Sequence, residues 1–204
     1  MRDKSILNFE NKIGSKKEMS GMAVIITKHI ALEAAYILAC EREKELSSYF
    51  APDIVRNAKL FKNEMSVEKE KRIASEMSAA FTLPLSEGGL MTSLWKVACA
   101  FETGMDIDLK AVPVKQETIE ICEYFSLDPY EIRSRGSLMI IAHDERKICR
   151  ALEKAGIRAA AVGELNDSSD CILRHGDIRS YLNRPSPDKL SELLRRGTGG
   201  EECR

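Results

Sequence analysis

The 204-residue chain is short of the features that would place it quickly. It has no long apolar run: segments such as Leu138–Ala142 fall far below the roughly 20 residues that a membrane-spanning helix needs. Its first 20 residues are polar, without the apolar centre of a secretory signal. It has no charge excess. Thirty-one Lys and Arg against 32 Asp and Glu leave a net charge of -1, which gives a nucleic-acid surface nothing general to hold. None of its six cysteines forms a C-x-x-C pair, and its three histidines stand at no metal-ligand spacing. There is no Walker motif, no Gly-rich dinucleotide turn, no internal repeat, and no recognised spacing of Ser, Cys and His for a nucleophile and its base. These absences point away from a membrane, secreted, zinc-ribbon or nucleic-acid-binding protein. The expected setting is the cytoplasm, with no membrane or nucleic-acid partner and the cysteines acting as small hydrophobes, Cys99, Cys122 and Cys149 in apolar helical stretches.

What remains is a globular composition, 44% hydrophobic and 31% charged, long enough to bury a core without staples. Residues 1–20 and 197–204 read as polar flexible tails around one domain at 21–196. Within it, Met22–Thr27 is a β-branched apolar strand. Helical spacing runs from about Ala31 to Tyr49. Pro52 opens a second helix, and Ser66 caps a third, whose charges read as a solvated face. Phe81–Leu85 is a strand. Leu90, Leu94, Val97, Ala98 and Phe101 form the clearest helical stripe, with Gly104 as its stop. Asp106–Leu109 is a strand with both aspartates on one face, and Val114–Phe125 a helix with Ile119 and Cys122 sharing a face. Pro129 can start a short helix. Ser137–His143 is a strand, Asp144 caps a helix that Gly156 ends, and Ile157–Leu165 is a strand with Cys171–Arg174 as its antiparallel neighbour. Pro187–Arg196 is a final amphipathic helix. The expected fold class is α+β, a mixed β-sheet packed with helices.

Two segments could carry chemistry. In Ser86-Glu87-Gly88-Gly89 the glycines let backbone N–H groups at a helix start approach an anion, and the helix dipole favours negative charge there. The same glycines fit a capped helix packed closely on a strand. In Arg133-Ser134-Arg135-Gly136-Ser137, Arg133 and Arg135 with the flexible Gly136 could hold a phosphate or carboxylate, or form a polar turn before a buried strand. Glu164, after Gly163 near a strand end, could line a cleft. No catalytic residue and no metal-ligand set is legible.

The order of motifs resembles the C-terminal domain of the AIR synthase-related superfamily, over residues from about 22 to 196. That superfamily includes aminoimidazole ribonucleotide synthetase, selenophosphate synthetase, thiamine monophosphate kinase and the E-type hydrogenase maturation factors. The resemblance is carried by Ser86-Glu-Gly-Gly-Leu-Met-Thr-Ser-Leu-Trp95, Gly104-Met-Asp-Ile-Asp-Leu109 and Val112-Pro-Val-Lys-Gln-Glu-Thr-Ile-Glu-Ile-Cys122. It continues through Leu127-Asp-Pro129, Gly136-Ser-Leu-Met-Ile-Ile-Ala142, Ala155-Gly-Ile157, Val162-Gly-Glu164 and Arg184-Pro185. Ile26-Thr-Lys-His-Ile-Ala-Leu-Glu-Ala-Ala35 is similar to the hydrogenase-maturation branch.

The resemblance implies an α+β sandwich that, in full-length relatives, partners an N-terminal domain binding ATP and magnesium. Here only about twenty residues precede the first strand, so that domain is expected to be missing. Relatives carry Asp-x-Thr-x-Gly-Gly where this chain has Pro84 and Ser86, and glycines where it has Ala31 and Ala34. The E-type factors end in a modified cysteine after Pro-Arg-Ile; Cys203 is penultimate and lacks that motif. The expectation is a non-catalytic ligand- or partner-binding protein related to hydrogenase maturation or similar cofactor assembly, needing no cofactor by itself. Its expected partners are another protein, a second copy, or a phosphorylated small molecule. The alternative is one subunit of a split ATP-dependent enzyme, with ATP and magnesium supplied by a partner chain's nucleotide-binding domain.

Overall fold

The computed structural model describes residues 16–196. A helical turn, Lys16–Met19 (α1), precedes strand Ala23–Thr27 (β1). Helices Leu32–Glu41 (α2), Glu43–Tyr49 (α3) and Pro52–Leu60 (α4) follow, then a 3-10 turn at Phe61–Glu64 and helix Glu68–Glu76 (α5). Strand Phe81–Pro84 (β2), helix Gly89–Phe101 (α6), strand Gly104–Asp108 (β3) and helix Gln116–Tyr124 (α7) come next. The last third runs Leu138–Ala142 (β4), Glu145–Lys154 (α8), Ala159–Asn166 (β5), Cys171–His175 (β6), Ile178–Tyr181 (β7) and Lys189–Arg196 (α9). Among the described residues no helix is long and apolar enough to cross a membrane.

The seven strands form one mixed sheet in the order β2-β4-β1-β5-β3-β6-β7. All neighbours are antiparallel except β3 and β6. β1 and β4 are buried along their whole lengths. Their unbroken apolar runs follow from having both sheet faces covered. Val24, Ile26, Met139 and Ile141 point to one face, where Leu90, Leu94 and Val97 of α6 close a core. Ala23, Ile25, Leu138 and Ile140 point to the other, under Ile73 and Ala74 of α5 and Ile148 and Leu152 of α8. Each such isoleucine contributes roughly 1.5–3 kcal/mol by leaving water. A third apolar cluster joins α2, α4, α7 and Leu190 of α9 beside the sheet.

This is the α+β arrangement expected from the sequence, with several local differences. Of the tail expected at 1–20, residues 16–20 belong to the fold. Met19 is fully buried, and the Gly21 N–H donates to the Leu165 carbonyl at 2.8 Å. Residues 1–15 and the expected tail 197–204, with Cys203, lie outside the described residues. The first long helix is broken at Arg42 into α2 and α3. The α5 charge run is not wholly solvated. Glu70 is buried and meets Lys28 at 2.7 Å, while the same ammonium donates to the Glu64 and Ser66 carbonyls. The helix α6 ends at a left-handed Glu102 (φ 50°), and Gly104 instead opens β3. On α7 the buried pair is Ile121 and Cys122; Ile119 faces solvent. Pro129 lies in a turn rather than a helix. Cys171–His175 does not pair with β5. β3 lies between them, pairing antiparallel with β5 and parallel with β6. The four-residue connection after β5 is therefore a crossover past β3, and β7, which sequence periodicity did not reveal, pairs with β6.

Of the cysteines, Cys122 is buried, Cys149 half-buried and Cys99 exposed, so only the first fits the expectation fully. Burial, and then the nearby Asp128 carboxylate, push the Cys122 thiol up to about 12. An aromatic thiol reagent at pH 8 is expected to label Cys40 and Cys99 in the native protein and Cys122 only after unfolding. Peptide mass spectrometry reads the sites, and native labelling of Cys122 would contradict the packing described.

Candidate functional site

The segment between α7 and β4 is polar in sequence but deeply set. Ser134 and Ser137 are fully buried. Buried hydroxyls and amides need partners, and these find them at three places in the fold. The Ser134 hydroxyl accepts the Ala31 N–H at 2.8 Å, and the Ser134 N–H donates to the Ser86 carbonyl at 3.1 Å. The Ser137 hydroxyl donates to the His29 carbonyl, and the Leu85 N–H donates to the Ser137 carbonyl at 3.0 Å. The Tyr130 carbonyl accepts the Met91 N–H at 3.0 Å. The loop therefore fixes the end of β1, the start of α2 and the turn before α6 relative to one another.

That turn is Ser86–Gly89. Gly88 (φ 73°) is the left-handed cap of α6, and a Cβ there would strike the Thr92 hydroxyl. Gly89 (φ 59°) is buried, and a Cβ there would overlap the Ile132 carbonyl and come within 2.8 Å of the Tyr130 carbonyl. Its N–H donates to the Ser86 carbonyl at 3.1 Å. Two of the helix-start donors, on Gly89 and Met91, are thus taken by protein carbonyls. Of the two uses the sequence allowed, Gly89 serves close packing against the 130–132 backbone.

Arg133 lies at the centre of the polar groups. Its N–H and Nε donate to Asp188 Oδ2 at 3.1 and 3.3 Å, and Nη2 donates to Glu87 Oε1 at 3.1 Å and Ser191 Oγ at 2.9 Å. The Asp188 side chain is 2% exposed and also accepts the Leu190 N–H at 2.9 Å, capping α9. Arg135 is mostly exposed. Its N–H donates to Glu33 Oε2 at 3.3 Å, and its Nε lies 3.8 Å from Glu33 Oε1.

These residues line a cleft of about 840 Å³. It brings together Ser86, Glu87 and Gly88 with Arg133 and Arg135, two segments that sequence reasoning could only name separately. Gly89 lies beneath it. Gly136 is outside it, packed where a Cβ would come within 2.8 Å of the Glu64 carbonyl. Glu164 is also elsewhere, in a recess of about 450 Å³ with Asp108, His143 and an Asp106–Arg174 pair that meets at 2.6 Å out of hydrogen-bond alignment. Asp188, Ser191 and Arg195 were missed in the sequence. The one available signal was an aspartate after Pro187 and before Leu190, the pattern of a helix cap. Ala31 and Ala34, where relatives are expected to have glycine, are both fully buried in the helical cluster, so their methyl groups do not stand in the cleft. Ala31 nevertheless keeps a left-handed backbone (φ 56°) that glycine adopts without strain.

The cleft carries four cations, Lys96, Arg133, Arg135 and Arg195, against three carboxylates, Glu33, Glu87 and Asp188. Its lining has hydroxyls but no histidine and no cysteine. Each carboxylate already accepts from an arginine of the chain. Among the described residues no three His, Cys, Asp or Glu side chains converge as a metal site. The arrangement offers guanidinium, ammonium and hydroxyl donors to a polar or anionic group.

A family model described as AIR synthase related protein, C-terminal domain, matches residues 20–176. A curated relative, carbamoyl dehydratase HypE of Rhizobium leguminosarum bv. viciae, is 32% identical over 60 residues, 29% of this chain and 17% of that protein. The crystal structure of E. coli HypE, a hydrogenase maturation protein, superposes with a TM-score of 0.70 at 18% identity, over 86% of this chain and 53% of that one. A chain of the crystal structure of a HypE–HypF complex gives 0.59 at 18% identity, over 85% of this chain and 55% of that one. The chain thus spans about half the length of the structures it matches.

The packing role of Gly89 is directly testable against Gly156, which has φ 75° and open space around its missing Cβ. Gly156→Ala should cost on the order of 1 kcal/mol, the left-handed penalty alone. Gly89→Ala should cost about 3 kcal/mol, since overpacking against backbone is added. Urea unfolding measures both, and equal costs would remove the packing account.

Proposed function

The chain belongs to the family of AIR synthase related proteins, C-terminal domain, and from that premise we propose that it is a non-catalytic ligand- or partner-binding protein serving hydrogenase maturation or a related cofactor assembly. The observation that carries this reading is the state of the cleft's carboxylates. Glu33, Glu87 and Asp188 are its acidic groups, and all three are engaged as acceptors for Arg133 or Arg135. General acid–base catalysis needs a group free to take or give a proton at the substrate. Asp188, enclosed and bonded to Arg133 and to the start of α9, is committed to holding the cleft's shape, which suits binding; Glu87 and Glu33 meet their arginines at the cleft's rim.

The direction of the assignment comes from the matched proteins. Several are named as hydrogenase maturation proteins, one of the matched structures is a complex of HypE with HypF, and thiamine monophosphate kinase of Aquifex aeolicus shares the fold as well. A protein partner or a second copy of the chain is proposed here on that basis, beside a phosphorylated small molecule as the cleft's ligand. The cytoplasm is the proposed setting, in keeping with the free thiols of the five described cysteines. No cofactor is assigned to the chain alone.

A second reading shares the fold. The chain would lend its cleft to an ATP-dependent enzyme whose nucleotide-binding part, with ATP and magnesium, lies on another polypeptide. The observation that favours it is that Ser86 and Gly88, at the start of α6, open into the cleft beside Arg133.

Phosphate release from Mg-ATP by the purified chain separates these. The binding reading expects release equal to a buffer blank. Turnover by the chain alone that is lost in Arg133→Met would overturn it. Turnover that appears only when a nucleotide-domain protein is added, and is again lost in Arg133→Met, would establish the second reading in its place.

A further inference from the structure

On the face of the sheet opposite α6, the helices α5 and α8 lie side by side and leave a groove of about 880 Å³ between them. Its lining is strongly one-signed. Lys69 and Arg72 of α5 face Arg146, Lys147, Arg150 and Lys154 of α8, against two carboxylates, Glu76 and Asp144. This concentration stands on a chain whose net charge is -1. All six cations are exposed.

The two helices treat their charges differently. On α5, Arg72 lies 3.9 Å from Glu76, and the Lys69 ammonium donates to the Ala155 carbonyl at 2.6 Å, tying the C-terminal end of α8 to α5. On α8, the side chains of Arg146, Lys147, Arg150 and Lys154 make no hydrogen bond or ion pair with any described residue. Arg146 and Arg150 are four residues apart, as are Arg150 and Lys154, so the helix carries two like-charge pairs at a spacing where such pairs destabilise it. Elsewhere on the surface, charges three residues apart on a helix form opposite-sign pairs, as in Arg56 with Asp53 and Lys71 with Glu68. Between the two basic rims the floor is apolar, formed by Ile73, Met77, Ala151 and Ala155.

We infer that this groove is a docking site for an acidic amphipathic segment of a partner protein. Carboxylates three or four residues apart on a helical partner would match the repeat of Arg146, Arg150 and Lys154 along the roughly 15 Å of α8, relieving its like-charge pairs. Apolar side chains between them would reach the floor. A peptide supplies both kinds of group. Nucleic acid fits less well, because Glu76 and Asp144 stand in the groove and the rest of the surface offers no basic excess. A lipid surface fits less well too: the exposed large hydrophobics, Tyr49, Leu60, Ile119, Ile178 and Tyr181, all lie away from the groove. The groove is separate from the cleft around Arg133, so it stands or falls independently of the reading given to that cleft.

The test uses the full chain and a labelled synthetic helix with glutamates at i, i+4 and i+7 and leucines on the adjoining stripe, followed by fluorescence anisotropy. Arg150→Glu with Lys154→Glu should weaken binding by tenfold or more, about the loss of one charged contact. Lys44→Glu with Lys62→Glu, the same charge change at exposed positions outside the groove, should leave it nearly unchanged. The neutral pair Arg150→Gln with Lys154→Gln should lie between, and replacing the peptide's leucines by serine should also weaken binding. Equal effects of the groove and control variants would overturn the site. Indifference to the leucines, or tighter binding of a single-stranded oligonucleotide or an anionic vesicle through the same residues, would overturn the peptide assignment.

Discussion

A carboxylate held away from water must be paired, and in this fold the pairing of Asp188 with Arg133 is the constraint on which the arrangement of the cleft depends. Asp188 is nearly inaccessible and accepts from the Arg133 backbone, from its guanidinium and from the α9 backbone at once. Arg133 passes the constraint on, to Glu87 in the turn before α6 and to Ser191 one turn into α9. The neighbouring Ser134 and Ser137 do the same for β1 and α2. A loop without regular structure is therefore the junction of four elements, and its shape is set by polar satisfaction together with the burial of Leu127 and Ile132. The same pairing is what the proposed binding role rests on: Arg133 and Asp188 hold each other in the wall of the cleft.

The sheet imposes a second order. With β1 and β4 buried on both faces, the molecule has two distinct outer layers. One is α6, whose start shapes the cleft. The other is α5 and α8, whose outward sides form the basic groove. Lys28 ties the sheet to the second layer: it follows β1 with a left-handed backbone (φ 54°), and its ammonium is enclosed by the buried Glu70 and two carbonyls just before α5. Recognition of a small polar ligand and of a larger acidic partner would thus occur on opposite faces of one scaffold. The family relationship is established for the domain as a whole; neither recognition surface is inherited from it by name.

Much of this was legible in the sequence, for identifiable reasons. Strands such as Leu138–Ala142 and the stripe of α6 are written in local periodicity, and the Asp144 cap is a local pattern. Motif order gave the family and hence the fold class. What escaped was non-local. The pairing of β6 with β3 instead of β5 depends on which strand enters the gap, and no local pattern encodes that. Glu70 read as one charge in a solvated run because its partner, Lys28, is forty-two residues away. The site divides in the same way. Ser86–Gly88 and Arg133 and Arg135 were named from local chemistry and do converge, whereas Gly136 and Glu164 were named on equal grounds and lie elsewhere. Asp188 carries as much of the cleft as any of them, yet it announces itself only as a helix cap.

The central claim is that Arg133 and Asp188 act as one unit that holds the shape of the cleft and α9 in place. A double-mutant cycle on folding stability, with Arg133→Met, Asp188→Ala and the pair, measures this most directly. The account predicts a coupling of about 2 kcal/mol, reduced from the fully buried case because Arg133 is about a quarter exposed, so that the double variant is far less destabilised than the sum of the singles. Additive single effects, with coupling near zero, would show that the two residues stabilise the fold independently and would contradict it.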